Sequence, residues 1–156
     1  MQFFLPALSA VMLFLSFPRY ISGYLAFIAL VPFFYSLSRI SSYRKALICG
    51  LIFGLIYSAM LSYPLFHTLN IHYNRGIIYS LVLIFITVII PLTALSGIFS
   101  AACFYFRVPS KILCVVIPPS LWIIADYSRE IIPLYIPWGF AGYTQVFTPL
   151  IQISDL

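Results

Sequence analysis

Apolar residues run along this chain in long stretches, broken at intervals by short polar or proline-containing segments. No strict alternation is present, and the stretches are too uniformly apolar for a one-sided amphipathic stripe. The pattern predicts helices that are hydrophobic all round. The first, Phe3–Phe17, ends at Ser16-Phe17-Pro18-Arg19-Tyr20, a break that no helix continues through. It is short for a crossing, which takes about 20 residues. No Lys or Arg precedes it, so it reads as a retained first helix rather than a secretory signal.

Ile21–Leu37 is the second expected span, with a kink at Pro32. Ser38–Lys45 is a basic connector holding Arg39, Arg44 and Lys45, and Ala46–Phe66 follows as a span of clean length. Near its start, Gly50 and Gly54 have the spacing that lets two helices approach closely, here expected within the bundle rather than between copies. His67–Arg75 is a polar connector. Gly76–Phe106 carries no charge and is longer than a bilayer core, so it must tilt, kink at Pro91 or emerge. Ile112 to Ser128 is the next span, with a helix restarting at Pro118-Pro119 and running toward Ile132. From Pro149 another apolar segment begins. The expected fold is all-α: a polytopic transmembrane helix bundle of about five spans plus the start of a sixth. Residues 1–156 are expected to form one membrane module with no second domain.

Composition turns this pattern into an integral membrane protein. The 156 residues are 63% hydrophobic and 7% charged, against about 25% charged in a soluble domain. Eight Lys/Arg against three Asp/Glu is too sparse and scattered for a nucleic-acid surface, and it serves better to orient the spans. Placing connectors alternately puts Arg39, Arg44, Lys45, Arg107 and Lys111 on one side and Arg19, Arg75 and Arg129 on the other. The positive-inside rule then sets the N-terminus in the cytoplasm.

Candidate chemistry is concentrated in Pro118–Tyr143. This stretch holds both tryptophans, two of the three carboxylates and Arg129. Trp122, Asp126, Arg129 and Glu130 share one helix face. Asp126, costly at a bilayer centre, is expected near the outer interface with Arg129 as its partner. The pair reads either as an orientation-fixing ion pair or as the lining of a cleft that meets a polar head group. Pro137-Trp138-Gly139 and Gly142-Tyr143-Thr144-Gln145 follow, where Trp and Tyr suit head-group depth and the glycines allow close backbone approach. Cys49, Cys103 and Cys114 sit in apolar runs as small hydrophobes, and His67 and His72 have no accompanying carboxylate. No metal site, cofactor motif or nucleophile–base set is expected.

Ser16-Phe17-Pro18-Arg19-Tyr20, Ala26, Ala29-Leu30, Pro32 and Gly50–Gly54 resemble the opening helices of bacterial apolipoprotein N-acyltransferases. The more specific match is Leu121-Trp122, Asp126, Arg129, Pro137-Trp138, Gly142-Tyr143-Thr144-Gln145 and Pro149-Leu150-Ile151-Gln152, in the family's order and spacing. Asp126 stands where the family commonly has Glu, Ile136 replaces a Phe, and Tyr63-Pro64 takes the place of a Trp. The resemblance implies a bacterial inner-membrane protein that meets phospholipid and a diacylated apolipoprotein. In the family a nitrilase-like domain with a Glu-Lys-Cys triad moves an acyl chain from phospholipid to the α-amino group of the lipoprotein's diacylglyceryl-cysteine. No residue of this sequence matches that triad, so the expected function is the membrane module of such an enzyme. The module is expected to be shortened or split, to be inactive alone, and to work with a separately encoded catalytic half. Its substrate-cleft candidates are Trp138, Tyr143, Gln145, Asp126 and Arg129. The alternative is a non-catalytic membrane scaffold built on the same bundle. A transporter subunit fits less well, because charges are absent from the span centres.

Overall fold

A computed structural model of the chain describes residues 3–18, 20, 22–106, 111–131 and 141–149, with the side chains of 111–115, 130 and 131 outside that description. Its architecture is helical. Helix α1 (Phe4–Leu15) is followed by a 3₁₀ turn (Gly23–Leu25), α2 (Ala26–Ala29), α3 (Val31–Ser38) and the long α4 (Tyr43–Ile71). Then come α5 (Ile77–Ile84), a π-helical turn (Phe85–Ile89), α6 (Ile90–Tyr105), α7 (Lys111–Ile131) and a final 3₁₀ turn (Ala141–Gln145). Among the described residues there is no strand.

Two helical stretches, Tyr43–Ile71 and Ile77–Tyr105, each of 29 residues, are long and apolar enough to cross a membrane. At 1.5 Å per residue each reaches about 43 Å, beyond a hydrocarbon core of about 30 Å. The first exceeds the expected Ala46–Phe66 because Tyr43–Lys45 and His67–Ile71 continue the helix at either end. Ser42 supports the start by accepting a 3.4 Å bond from the Lys45 backbone N–H. Hence much of the expected histidine connector is helical.

The other expected spans differ more. Ile21–Leu37 is broken into a 3₁₀ turn and two short helices. Pro32 opens α3, where a missing N–H costs nothing, instead of bending one continuous helix. Ser9 of α1, fully buried, completes this helix start: its Oγ accepts the Phe33 backbone N–H at 2.8 Å. Phe33 lies in the first turn of α3, where backbone donors have no intrahelical acceptor. Ser9→Ala is therefore expected to destabilise the bundle by about 1–3 kcal/mol, the cost of stranding a buried donor. Thermal unfolding in detergent, with Ser38→Ala on the surface as control, checks this.

Pro91 coincides with a change of helix type. It sits in the first turn of α6, directly after the π-helical turn. Proline removes the donor to the carbonyl four residues back and crowds that carbonyl, and a wider turn relieves the crowding. By contrast, α7 runs through Pro118-Pro119 as one helix and does not restart there. Next to the two missing donors, the Ser120 hydroxyl donates to Val116 O at 2.9 Å and occupies an acceptor inside the helix.

The most extensive packing joins α4 to α6. A Cβ on Gly50 would collide with the Ser96 carbonyl and the Ser100 side chain, and one on Gly54 would stand 2.8 Å from Thr93 Cα. The glycine pair is thus an intramolecular contact, as expected. Around it lies an aromatic core in which Phe33 stacks on Phe53 at 4.6 Å between ring centres. Trp122 of α7 meets Phe53 and Phe99 edge-on at 5.9 and 5.3 Å. Cys49 is buried here, its sulfur 3.7 Å from Ser36 Oγ.

Candidate functional site

The inward face of α7 carries Trp122, Ala125, Asp126 and Arg129, while Ile123, Ile124 and Tyr127 are exposed on the other side. The i, i+3 spacing brings Arg129 Nη2 to 3.1 Å from Asp126 Oδ1. The guanidinium is 4% exposed and the carboxylate 24%. This ion pair therefore points into the bundle rather than standing at a fully hydrated edge. The backbone N–H of Ala141 also bonds to the Asp126 carboxylate. Together with Tyr57 of α4 and Ser96 of α6, the pair lines a small cavity of about 30 Å³. That volume suits a single water.

A much larger cavity, about 510 Å³, lies on the neighbouring side of α4. Leu92 lines both spaces. The larger one is almost wholly apolar: it is lined by Phe17 and Pro18 after α1, by Leu61, Leu65 and Thr68 of α4, and by Tyr143, Val146 and Phe147. The π-helical turn contributes Val88. Such a space accepts a hydrocarbon chain and offers little to a polar solute.

The residues singled out from sequence thus separate. Asp126 and Arg129 are together at the small cavity, and Tyr143 faces the large one. Gln145 reaches neither. Its amide is occupied by Gly23 O and Thr144 Oγ1, each 2.9 Å from Nε2, and by Thr148 Oγ1, 3.0 Å from Oε1. Trp138 and the side chain of Glu130 lie outside the described residues. Phe17, Leu61, Leu65 and Val146 escaped the sequence reading because each is one apolar residue among many. Only the Pro18 break hinted that Phe17 begins a wall.

The described helices, their two membrane-crossing candidates and the apolar cavity narrow the possible relatives. A family profile described as the apolipoprotein N-acyltransferase N-terminal domain matches residues 9–156. The chain belongs to this family. It is also 30% identical over 159 aligned residues to an apolipoprotein N-acyltransferase of Geobacter metallireducens (strain ATCC 53774 / DSM 7210 / GS-15). That alignment covers 99% of this chain and 29% of the relative, so the chain spans less than a third of that protein's length. No solved structure matches. Family membership agrees with the resemblance carried by Leu121-Trp122, Asp126, Arg129 and the Gly142–Gln145 run.

Proposed function

We propose that residues 1–156 form the lipid-receiving membrane module of an apolipoprotein N-acyltransferase, holding an acyl chain of a phospholipid for transfer to a diacylated apolipoprotein. The observation that carries this reading is the apolar cavity of about 510 Å³ in a chain of this family. Its size falls within the roughly 300–1,000 Å³ of ordinary ligand pockets. In this reading the module sits in the bacterial inner membrane with its N-terminus cytoplasmic and crosses it about five times, with α7 and the α1–α3 region joining the two long helices. The large exposed side chains of Ile78, Ile98 and Tyr105 then face lipid.

The reading also divides the labour. No motif in the sequence points to the nucleophile, base and acid that acyl transfer requires. The module receives and orients lipid, and transfer chemistry belongs to a catalytic domain, covalently joined or separately encoded.

A purified chain in detergent, given a phospholipid with a photoreactive acyl chain, is expected to label saturably at Leu61, Leu65, Tyr143 and Phe147. Excess unmodified phospholipid should compete. The same preparation given a diacylated lipopeptide should yield no triacylated product. Labelling confined to outward residues such as Ile78 and Ile98, without saturation, would favour the scaffold alternative, and a triacylated product would overturn the division of labour.

A further inference from the structure

The cavity wall formed by Tyr143, Val146 and Phe147 belongs to a short segment whose two faces differ sharply. Its apolar face is exposed to the cavity, with Phe147 82% accessible. Its polar face, Thr144 and Thr148, is buried. Between them, Gln145 Nε2 donates to the Gly23 carbonyl at 2.9 Å across 122 residues of sequence. Thr148 Oγ1 donates to Gln145 Oε1 at 3.0 Å and so orients the amide. Thr144 Oγ1, 2.9 Å from Nε2, in turn donates to Ala141 O at 2.7 Å.

The Gly23 side is equally specific. A Cβ there would collide with the Thr144 carbonyl and stand 3.1 Å from Thr148 Cγ2, so the two backbones touch only because residue 23 has no side chain. Gly23 opens the turn a few residues after Phe17 and Pro18, which form another part of the cavity wall. One hydrogen bond therefore ties one wall to the segment that carries the other. At the far end of the same turn, the Ala141 N–H is held by Asp126. The wall is fastened ahead of Tyr143, at Ala141, and in its middle, at Gln145, through polar groups that do not line the cavity.

We propose that Gln145 is a positioning residue: through Gly23 it fixes the separation of the two cavity walls and so selects which acyl chains the cavity accepts. This rests on the acyl-chain reading of the cavity. Gln145 touches no lipid in this arrangement and acts through Tyr143, Val146 and Phe147. Gln145→Leu removes the donor and the acceptor together, Gln145→Glu removes the donations to Gly23 and Thr144 while keeping an acceptor for Thr148, and Gly23→Ala forces the backbones apart from the other side.

The test uses the whole 156-residue chain in detergent, in two measurements. Spin labels at Tyr20→Cys and Phe147→Cys, in a background without Cys49, Cys103 and Cys114, report wall separation in the absence of lipid. Saturable photolabelling with phospholipids that differ only in acyl length reports selectivity. Each variant is expected to broaden the distance distribution and to shift the long-to-short labelling ratio about fivefold, the factor corresponding to one net hydrogen bond. Because the bond is approached from both sides, failure of one variant to fold leaves the others informative. An equal loss at all lengths, or an unchanged ratio, overturns the selectivity role. An unchanged distance distribution overturns the fastening itself. Absence of saturable labelling in the unsubstituted chain overturns the acyl-cavity reading and selectivity together, while the distance measurement still decides whether Gln145 sets the wall.

Discussion

Replacing Asp126 by Asn is expected to lower the stability of the folded bundle by about 3 kcal/mol, the low end of the range for breaking a buried ion pair. The large effect comes from what is left behind. Arg129 is 4% exposed and cannot return its guanidinium to water without pulling out of the bundle. Asp126 is 24% exposed, so residual hydration keeps the cost from reaching the top of the range. Asn also retains an acceptor for Ala141, so the loss isolates the charge from the hydrogen bond. The double replacement Asp126→Leu with Arg129→Met should cost less than the single change, because it removes both charges from the bundle instead of one. Thermal unfolding of the three proteins in one detergent decides it. A double variant as unstable as the single one would show that the pair does more than neutralise itself.

That pair was legible in the sequence because it is local. Helical spacing alone places Asp126 and Arg129 on one face, and their scarcity in an apolar chain marks them. The same spacing does not say what the face meets. Trp122 has the composition of an interfacial anchor, yet its ring is wedged between Phe53 and Phe99. Those partners come from α4 and α6, and nothing in the order of residues along α7 names them. Gln145 is the clearest case. Its place in Gly142-Tyr143-Thr144-Gln145 made it a cleft candidate, but its amide is occupied by Gly23 and Thr148. A contact across 122 residues leaves no periodic trace, and Gly23 has no side chain to announce it.

Proline was a better guide to where helices change than to how. Pro32 starts a helix, Pro91 follows a π-helical turn, and Pro64, Pro118 and Pro119 lie within helices. All are missing donors, but the surroundings decide the response. Near Pro64 the Thr68 hydroxyl donates to the Pro64 carbonyl at 3.0 Å. This bond does not replace the donor that Pro64 withholds from the Met60 carbonyl; hydroxyl back-bonding of this kind bends a helix slightly. The large cavity was not legible for a related reason. Its walls come from the first turn, α4, the π-helical turn and the last described segment, and each contributes residues that look like ordinary lipid-facing positions.

Gly50→Ala gives the second large effect, and its sign depends on a competition. In a free helix the change is favourable by up to about 1 kcal/mol, because alanine restricts the unfolded chain and suits the helix better. Against that stands the contact with α6. The added methyl would overlap the Ser96 carbonyl, which is backbone and cannot rotate aside, as well as the Ser100 side chain. Overpacking of this kind costs about 1–3 kcal/mol. Relief requires separating the two longest helical stretches, and Ser96 and Ser100 already donate to Leu92 O and Ser96 O at 2.8 and 2.9 Å within α6. Moving α6 away would open a gap against Phe53 and Phe99 without freeing any polar group. The collision is therefore expected to outweigh the propensity gain, leaving a net loss of about 1–2 kcal/mol, and Gly50→Leu should prevent the native α4–α6 contact. Gly76, the N-cap of α5 with nothing within 4 Å of its added Cβ, supplies the control: Gly76→Ala should cost only the roughly 0.5 kcal/mol by which alanine is the poorer cap. The measurement is thermal unfolding in detergent combined with disulfide trapping between cysteines placed on α4 and α6. Equal stability of the Gly50→Ala and Gly76→Ala proteins would mean that the close approach is not what holds α4 to α6.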